Sequence, residues 1–490
     1  MYKNPAVYII DNNGRGMAVP LRRQTAVPDI SKKAEACGLP AQIVDGSRIL
    51  DVRRALDDAI IKARNDEPNV VEVKDIRWEA HYFGQNSDYR DDMDEVAYAK
   101  EHKDCVKIYE DYLVGKGVID QAYIDRLTEE LTKKMDEYVK RARQSEKPRF
   151  EDIYRKEYIM QRLRREGTCS ENMCLSHAIA AAVSKKMEAD PAVYLLGEDI
   201  INKGGGLSTY LDVPKKFPGR CFDMPIAELG FTHFANGMAL AGLRPIVDLM
   251  FSDFTTIPSD AIINGAAKYR FNSLGKASVP AVYVMGNGGR GFLGGYGSGC
   301  NHSQCSEAWF MNVPGIKMVM PYYPADALGL MRASIRENDP AIFLFYQGSS
   351  GVRGEVPEED YIMPLHNAAN ILRVGQDITI VALQSAAPVA LKAVEQLGAQ
   401  GISAEIIDPR VIIPLDKEKL IASAKKTGRL LVAQEAPTRG GVGSEIISVI
   451  MQEAAGNVKA VKLAGALNTP IGSGYTEAYM MPKLDDVRSL

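Results

Sequence analysis

Two side chains and one turn in this 490-residue sequence stand where a fold could put them to chemical use. The first is Glu228, in Asp223-Met224-Pro225-Ile226-Ala227-Glu228-Leu229-Gly230-Phe231, just after a predicted strand and before an apolar helix running through Ala235 to Gly242. A glutamate there needs no more explanation than the favourable field at a helix N-terminus, so its neighbours must decide whether it does more. The second is His302, at the end of the Gly-rich segment Gly286 to Gly299. That segment follows a strand end, where open α/β sheets place their ligands, and histidine exchanges protons near neutral pH. The turn is Asp11-Asn12-Asn13-Gly14, whose residue types alone specify nothing beyond a reversal of the chain. Seven cysteines at irregular spacings read as reduced thiols, and Cys169 and Cys174 lack a second Cys/His pair that would complete a zinc site.

The elements around these residues change character along the chain. Ala6-Val7-Tyr8-Ile9-Ile10 reads as a buried strand, and a domain that opens on a central strand is expected to lack what came before it. Residues 50–65 carry a helical pattern and Val70-Val71-Glu72-Val73 a strand. The stretch 105–165, with Glu129-Glu130-Leu131-Thr132-Lys133-Lys134, reads as a charged helical extension, exposed or facing a partner. From 168 onward helices alternate with continuous apolar strands at 193–196, 245–250 and 281–285, which predicts α/β layering with a buried, mainly parallel sheet. A polar linker with Pro357-Glu358-Glu359 follows Tyr346, then a second α/β unit with strands at 378–383, 404–407 and 430–434. The expected domains are 1–165, 166–346 and 366–490, with the linker at 347–365.

Composition excludes some classes of function. With 46% apolar and 25% charged residues the chain matches a soluble globular protein with about three cores. A net charge of −4 leaves no basic footprint for nucleic acid, so the expected partners are small molecules and proteins. No apolar run approaches the roughly 20 residues of a membrane span, and the N-terminus is neither a signal nor a transit sequence. The expected location is therefore cytoplasmic, with no membrane.

The phrase Pro225 to Phe231, with Ala241-Gly242-Leu243-Arg244-Pro245-Ile246-Val247-Asp248, resembles the pyrimidine-binding domain of E1 beta subunits of 2-oxo-acid and acetoin dehydrogenases. The likeness continues through His302-Ser303-Gln304 and Pro314 to Pro321, and on to Asp408-Pro409-Arg410-Val411-Ile412-Ile413-Pro414-Leu415-Asp416. The first 165 residues resemble the C-terminal half of the partner E1 alpha subunit, through Asp11 to Met17 and Ile76-Arg77-Trp78-Glu79-Ala80-His81. The fold implied is α/β and transketolase-like: a thiamine-diphosphate-binding fold of parallel sheets flanked by helices, with a C-terminal transketolase-type α/β domain.

The resemblance also implies roles. Glu228 bonds the N1′ nitrogen of the aminopyrimidine, so that the 4′-nitrogen of the cofactor can remove the thiazolium C2 proton. Met250 and Phe254 pack on the pyrimidine ring, and Met17 props the cofactor in its bent shape. Asn13, through its side chain, and Arg15, through its carbonyl, bind Mg2+. Arg77 and His81 hold the diphosphate. His302 assists proton transfer, or acyl transfer to lipoyl, although the glycine-rich loop looks longer than the family's. The implied reaction is thiamine-diphosphate-dependent oxidative cleavage of pyruvate, another 2-oxo acid or acetoin, with the acyl group passed to a lipoyl-bearing E2 acyltransferase. The family's Gly-Asp-Gly precedes the paired asparagines, whereas only eleven residues precede Asn12 here. The expectation is that the chain is part of a fused polypeptide or that another chain completes it, in a homo- or hetero-oligomer. Two rivals are a transketolase-type ketol transferase and a non-catalytic assembly subunit.

Overall fold

The computed structural model describes residues 4–16, 19–80, 90, 92–146, 169–210, 212–289, 298–357, 361–472 and 477. They fall into two compact units, Met1–Arg155 and Lys156–Leu490.

The N-terminal unit is built on a parallel three-stranded sheet of β1 (Val7–Asn12), β2 (Ala41–Asp45) and β3 (Asn69–Lys74), in the order β1-β3-β2. Helix α1 (Ile49–Arg64) packs on it through Ala55, Ala59 and Ala63, one small residue per turn, which lets the helix approach Val71 closely. The sheet corrects the reading of residues 6–10 as a buried strand. Among the described residues β1 pairs along one edge only, and Tyr8 and Ile9 are 46% and 59% exposed. Hydrophobicity proposed burial, but sheet order decides which strand has neighbours on both sides. Helices α2 (Met93–His102), α3 (Cys105–Gly115) and α4 (Gln121–Gln144) follow. The last two start on aspartates whose carboxylates accept amides of the first turn, Asp104 from Val106 and Lys107 and Asp120 from Tyr123. Helix α4 buries no residue and carries exposed Lys133–Glu129 and Lys134–Glu130 pairs, as a charged extension should. Residues 147–168, including the expected junction near 165, lie outside the described residues.

The second unit opens with β4 (Cys169–Cys174) and α5 (Leu175–Ala189), followed by β5 (Val193–Gly197), β6 (Cys221–Asp223), α6 (Glu228–Leu240), β7 (Arg244–Phe251) and β8 (Val282–Asn287). Next come β9 (Lys317–Val319), α7 (Pro324–Arg336), β10 (Ala341–Tyr346) and β11 (Arg353–Pro357), the last inside the segment read as a linker and paired antiparallel with β4. The C-terminal part contains β12 (Asn370–Arg373), β13 (Ile378–Ala382), α8 (Ala386–Gly398), β14 (Ala404–Asp408), β15 (Val411–Ile413), α9 (Lys417–Thr427), β16 (Arg429–Pro437), α10 (Val442–Ala454) and β17 (Ala460–Ala466).

These strands form a seven-stranded sheet of order β15-β9-β10-β8-β7-β5-β6 and a five-stranded sheet of order β12-β14-β13-β16-β17. Both are parallel except at one edge strand each, β15 and β12. Every residue of β8 and β10 is buried, which is why these strands read as unbroken apolar runs. One hydrophobic core passes from Val247, Tyr283 and Leu344 to Val381, Val432 and Ile446, so the two sheets share an interior. Strand β15 comes from the C-terminal part yet completes the first sheet.

Candidate functional site

The topology of the seven-stranded sheet marks a crevice. From β5 the chain moves outward to β6, then returns through α6 to β7 on the other side of β5 and continues outward to β8. Connections leave the neighbours β5 and β7 in opposite directions, so the helices part at their C-terminal ends. Three carboxylates meet there. Glu198 follows β5 directly, Asp248 lies on β7, and Glu228 is the first residue of α6. Glu228 is 8% exposed, and among the described residues nothing hydrogen-bonds or pairs with its carboxylate. Its charge reaches Glu198, whose carboxyl is raised by burial first and then by Glu228 and Asp199. Oε1 of Glu198 is buried without a partner among the described residues. Burial pushes Asp248 up to about 7, a rise opposed by the N–H of Met250 and reinforced by Glu198.

Met250 is shaped by this cluster. Oδ1 of Asp248 accepts its backbone N–H at 2.8 Å, and Met250 has a φ of +62°. Its side chain lies on Gly206, where a Cβ would fall 2.6 Å from both the Cγ and the Sδ of Met250. A Cβ on Gly205 would strike the carboxylate of Asp248, and one on Gly206 would displace the side chain of Met250.

Directly after Met250, Phe251 and Phe254 close on His302. The ring centroids lie 4.9 Å and 5.2 Å from the imidazole, both nearly perpendicular to it. Phe254, expected against a pyrimidine ring, thus packs on the candidate proton carrier. The His302 segment is anchored by its own carbonyl, which accepts Nε2 of Gln347 at 2.7 Å, and by Gly288, whose N–H donates to the carbonyl of Gln304 at 3.0 Å. Glu228, Met250, Phe254 and His302 accordingly lie in one unit along the C-terminal edge of its parallel strands. Sequence reasoning did not single out Glu198, Asp248, Asp253 or Phe251. Glu198 could have been found from its place immediately after a predicted strand, on the edge where ligands bind.

The N-terminal unit gathers a second set. Nδ2 of Asn12 donates to Glu72 at 2.6 Å, which anchors the turn in the sheet. Burial raises Glu72, but hydrogen bonds from Asn12 and Ser31 outweigh it and hold the carboxyl below its ordinary value. Oδ1 of Asn13 accepts the N–H of Arg15 at 3.0 Å, so the side-chain oxygen of Asn13 and the backbone of Arg15 share one turn. Nε of Arg15 reaches Asp92 at 3.0 Å; Arg90 pairs with the same carboxylate and donates to the carbonyl of Arg77 at 2.6 Å. The two arginines hold Asp92 well below the usual carboxylate range against the effect of burial. Asn13, Arg15 and Arg77 are thereby joined through Arg90 and Asp92 in one hydrogen-bonded network. Met17 and His81 lie outside the described residues. Among the described residues no group of three His, Cys, Asp or Glu side chains could cage a metal, and the described cysteines are free. No described helix is long and apolar enough to cross a membrane.

Fold and crevice together define a transketolase-type α/β protein. Residues 171–350 match the pyrimidine-binding domain of transketolase, residues 367–487 the transketolase C-terminal domain, and residues 1–151 the dehydrogenase E1 component. A rice (Oryza sativa subsp. japonica) pyruvate dehydrogenase E1 component subunit beta-2 is 37% identical over 328 residues, covering 66% of this chain and 86% of that protein. The beta subunit of acetoin:2,6-dichlorophenolindophenol oxidoreductase from Cupriavidus necator is 36% identical, covering 62% of this chain and 91% of that one. For the 2-oxoisovalerate dehydrogenase subunit beta of Bacillus subtilis the values are 38%, 56% and 83%. A solved split-gene transketolase, an inactive beta4 tetramer, matches 65% of this chain and 96% of its own with a TM-score of 0.53 and 24% identity, a likeness of fold. The chain belongs to the E1 family of thiamine-diphosphate-dependent 2-oxo-acid and acetoin dehydrogenases, with an alpha-like region ahead of a beta-like one.

Proposed function

We propose that this chain is the E1 component of a dehydrogenase complex that cleaves a 2-oxo acid, pyruvate first among them, or acetoin, and passes the acyl group to the lipoyl group of an E2 acyltransferase. The observation that carries this reading is the carboxylate of Glu228. The residue is 8% exposed, starts a helix at the crevice between β5 and β7, and among the described residues its carboxylate has no partner, which fits a ring nitrogen that must be protonated. When bound, thiamine diphosphate supplies a nucleophilic thiazolium carbon and an electron sink, chemistry that no side chain offers.

The chain's own residues do the rest. Glu228 holds the proton at N1′ of the pyrimidine, and Met250, fixed by Asp248 and Gly206, packs against that ring. Asn13 and the carbonyl of Arg15 would hold Mg2+ together with diphosphate and water oxygens, the mixed shell this ion favours. Arg77 and His81 would hold the diphosphate, and Met17 the bend between the rings. His302, flanked by Phe251 and Phe254, moves the proton at the reacting carbon.

The test is turnover of the chain, with whatever chains assemble with it, supplied with thiamine diphosphate and Mg2+. Pyruvate, branched 2-oxo acids and acetoin are offered with a lipoyl domain or a dye as acceptor, and ketose phosphates with an aldose acceptor. Lipoyl or dye reduction with a 2-oxo acid or acetoin supports the proposal. Turnover of sugar phosphates alone would make the chain a ketol transferase, and absence of cofactor binding would make it an assembly subunit.

A further inference from the structure

Two stretches flank the Gly-rich segment: Gly288–Gly289, which leaves β8, and Ser298–Gln304, which carries His302. They are tied together twice. The N–H of Gly288 donates to the carbonyl of Gln304 at 3.0 Å, and the side-chain amide of Gln347 makes the second tie. Nε2 of Gln347 donates to the carbonyl of Gly288 and, at 2.7 Å, to that of His302. A primary amide nitrogen carries two hydrogens, so one side chain serves both carbonyls. Gln347 is 4% exposed, and the sheet explains its place: Asn287 of β8 and Tyr346 of β10 are register partners, which sets the next residues, Gly288 and Gln347, side by side.

The Gly288 end is a fixed reference. The N–H of Gly289 donates to Oε1 of Glu435 at 2.6 Å, and Oε2 of Glu435 accepts the hydroxyl of Ser385 at 2.7 Å, which fastens this end to β16 and to the start of α8. Gly288 has a φ of +70°, and a Cβ there would fall 2.8 Å from Oε1 of Glu435, so the position needs glycine on both counts. The other stretch is held at Gln304 without help from Gln347. Its carbonyl also accepts the Ser252 hydroxyl at 3.1 Å, and Oδ1 of Asp253 accepts its side-chain amide at 2.9 Å. Among the described residues, Gln347 is the side chain that bonds the backbone of His302 itself.

We propose that Gln347 is the positioning residue of His302: by bridging the carbonyls of Gly288 and His302 it sets where the imidazole stands between Phe251 and Phe254, and hence how it meets the reacting carbon. This rests on the role given to His302 above.

Gln347→Met keeps the volume and removes both donors, while the bonds at Gln304 keep the segment attached. In the holoenzyme, kcat for lipoyl reduction should fall by about tenfold to a hundredfold, the usual result of a small misplacement of a reacting group. KM for the 2-oxo acid or acetoin and exchange of the thiazolium C2 proton should stay unchanged. In a His302→Ala background the same substitution should slow lipoyl reduction little further, since residues that act as a unit are not additive. Fully additive losses overturn the proposal. A second readout is independent of turnover. With carbon-13-labelled histidine, the His302 ring resonances, displaced by the ring currents of Phe251 and Phe254, should move in Gln347→Met at one fixed pH, and resonances that stay in place refute the bridge. If His302→Ala alone leaves lipoyl reduction intact, the role of His302 falls, and the resonance shift still decides the bridge. Gln347→Glu, which fills the same space with acceptors in place of donors, should repeat both effects. Loss of the fold in both variants would make Gln347 a stabiliser of the sheet and overturn the proposal.

Discussion

Oδ1 of Asp248 accepts the backbone N–H of Met250 at 2.8 Å, and Met250 is held at a φ of +62°, in the left-handed region. A side chain that large is rarely placed there, and the strain of order 1–3 kcal/mol persists only when the surroundings over-determine it. Here the carboxylate of Asp248 fixes the backbone and the bare face of Gly206 receives the thioether. The backbone conformation thus aims the residue proposed to support the pyrimidine.

Asp248 makes the fold sensitive to pH. Its carboxyl is raised from 3.8 to about 7 in the folded protein, so between these values the folded state binds more protons than the unfolded one. Stability is full below the unfolded pKa and is lost as pH climbs through the folded one, by at most about 4 kcal/mol for a shift of this size. Asp248→Asn retains an acceptor for Met250 and abolishes the titration. Melting curves at pH 5.5 and pH 8 should show a smaller drop for the variant than for the wild type, and parallel drops would refute the burial assigned to Asp248.

Gly206→Ala introduces a Cβ into the space of the Met250 side chain, which is flexible enough to swing aside. The fold should survive, with the melting temperature shifted by only a few degrees, the response to about 1 kcal/mol. Affinity for thiamine diphosphate should fall by about tenfold, the equivalent of about 1.4 kcal/mol. Calorimetric titration reads this directly, and unchanged affinity would mean that Met250 does not support the ring.

Glu228→Gln keeps size and shape and removes the acid at N1′. Hydrogen–deuterium exchange at C2 of bound thiamine diphosphate should slow by about a hundredfold or more, the usual scale of a lost proton-transfer group, while the circular dichroism spectrum stays the same. Normal exchange would end the assignment of Glu228.

Nη1 of Arg410 binds Oδ1 of Asp326 at 2.7 Å with both side chains buried, and Nε of Arg410 reaches the carbonyl of Ala368. Asp408 sits beside this pair with its carboxyl pushed up to about 8 by burial and by Asp326. Arg410→Met leaves two buried acids without their cation and should destabilise the unit by about 3–5 kcal/mol. The double variant Arg410→Met with Asp326→Leu should regain most of that in urea unfolding, since well-packed apolar side chains commonly replace a buried ion pair without loss. Additive losses would show that the pair is not coupled.

The α/β layering, the strand positions near 193, 245, 281, 378, 404 and 430, and the candidates Glu228 and His302 were all legible in the sequence. Continuous apolar runs are imposed by strands covered on both faces, and Glu228 and His302 sit in local phrases that carry their own context. Tertiary structure alone decided the rest. The run 6–10 reads like any buried strand, yet its neighbours in the sheet leave Tyr8 and Ile9 exposed. The stretch from Asp408 to Asp416 read as a family marker, but its Val411–Ile413 completes the other sheet and its Arg410 meets Asp326, 84 residues away. The crowding of Glu198 and Asp248, the left-handed turn of Met250 and the bridge made by Gln347 arise from contacts between strands and loops far apart in the chain. Desolvation and pairing are set by what surrounds an atom in space, and for these residues the surroundings come from distant sequence.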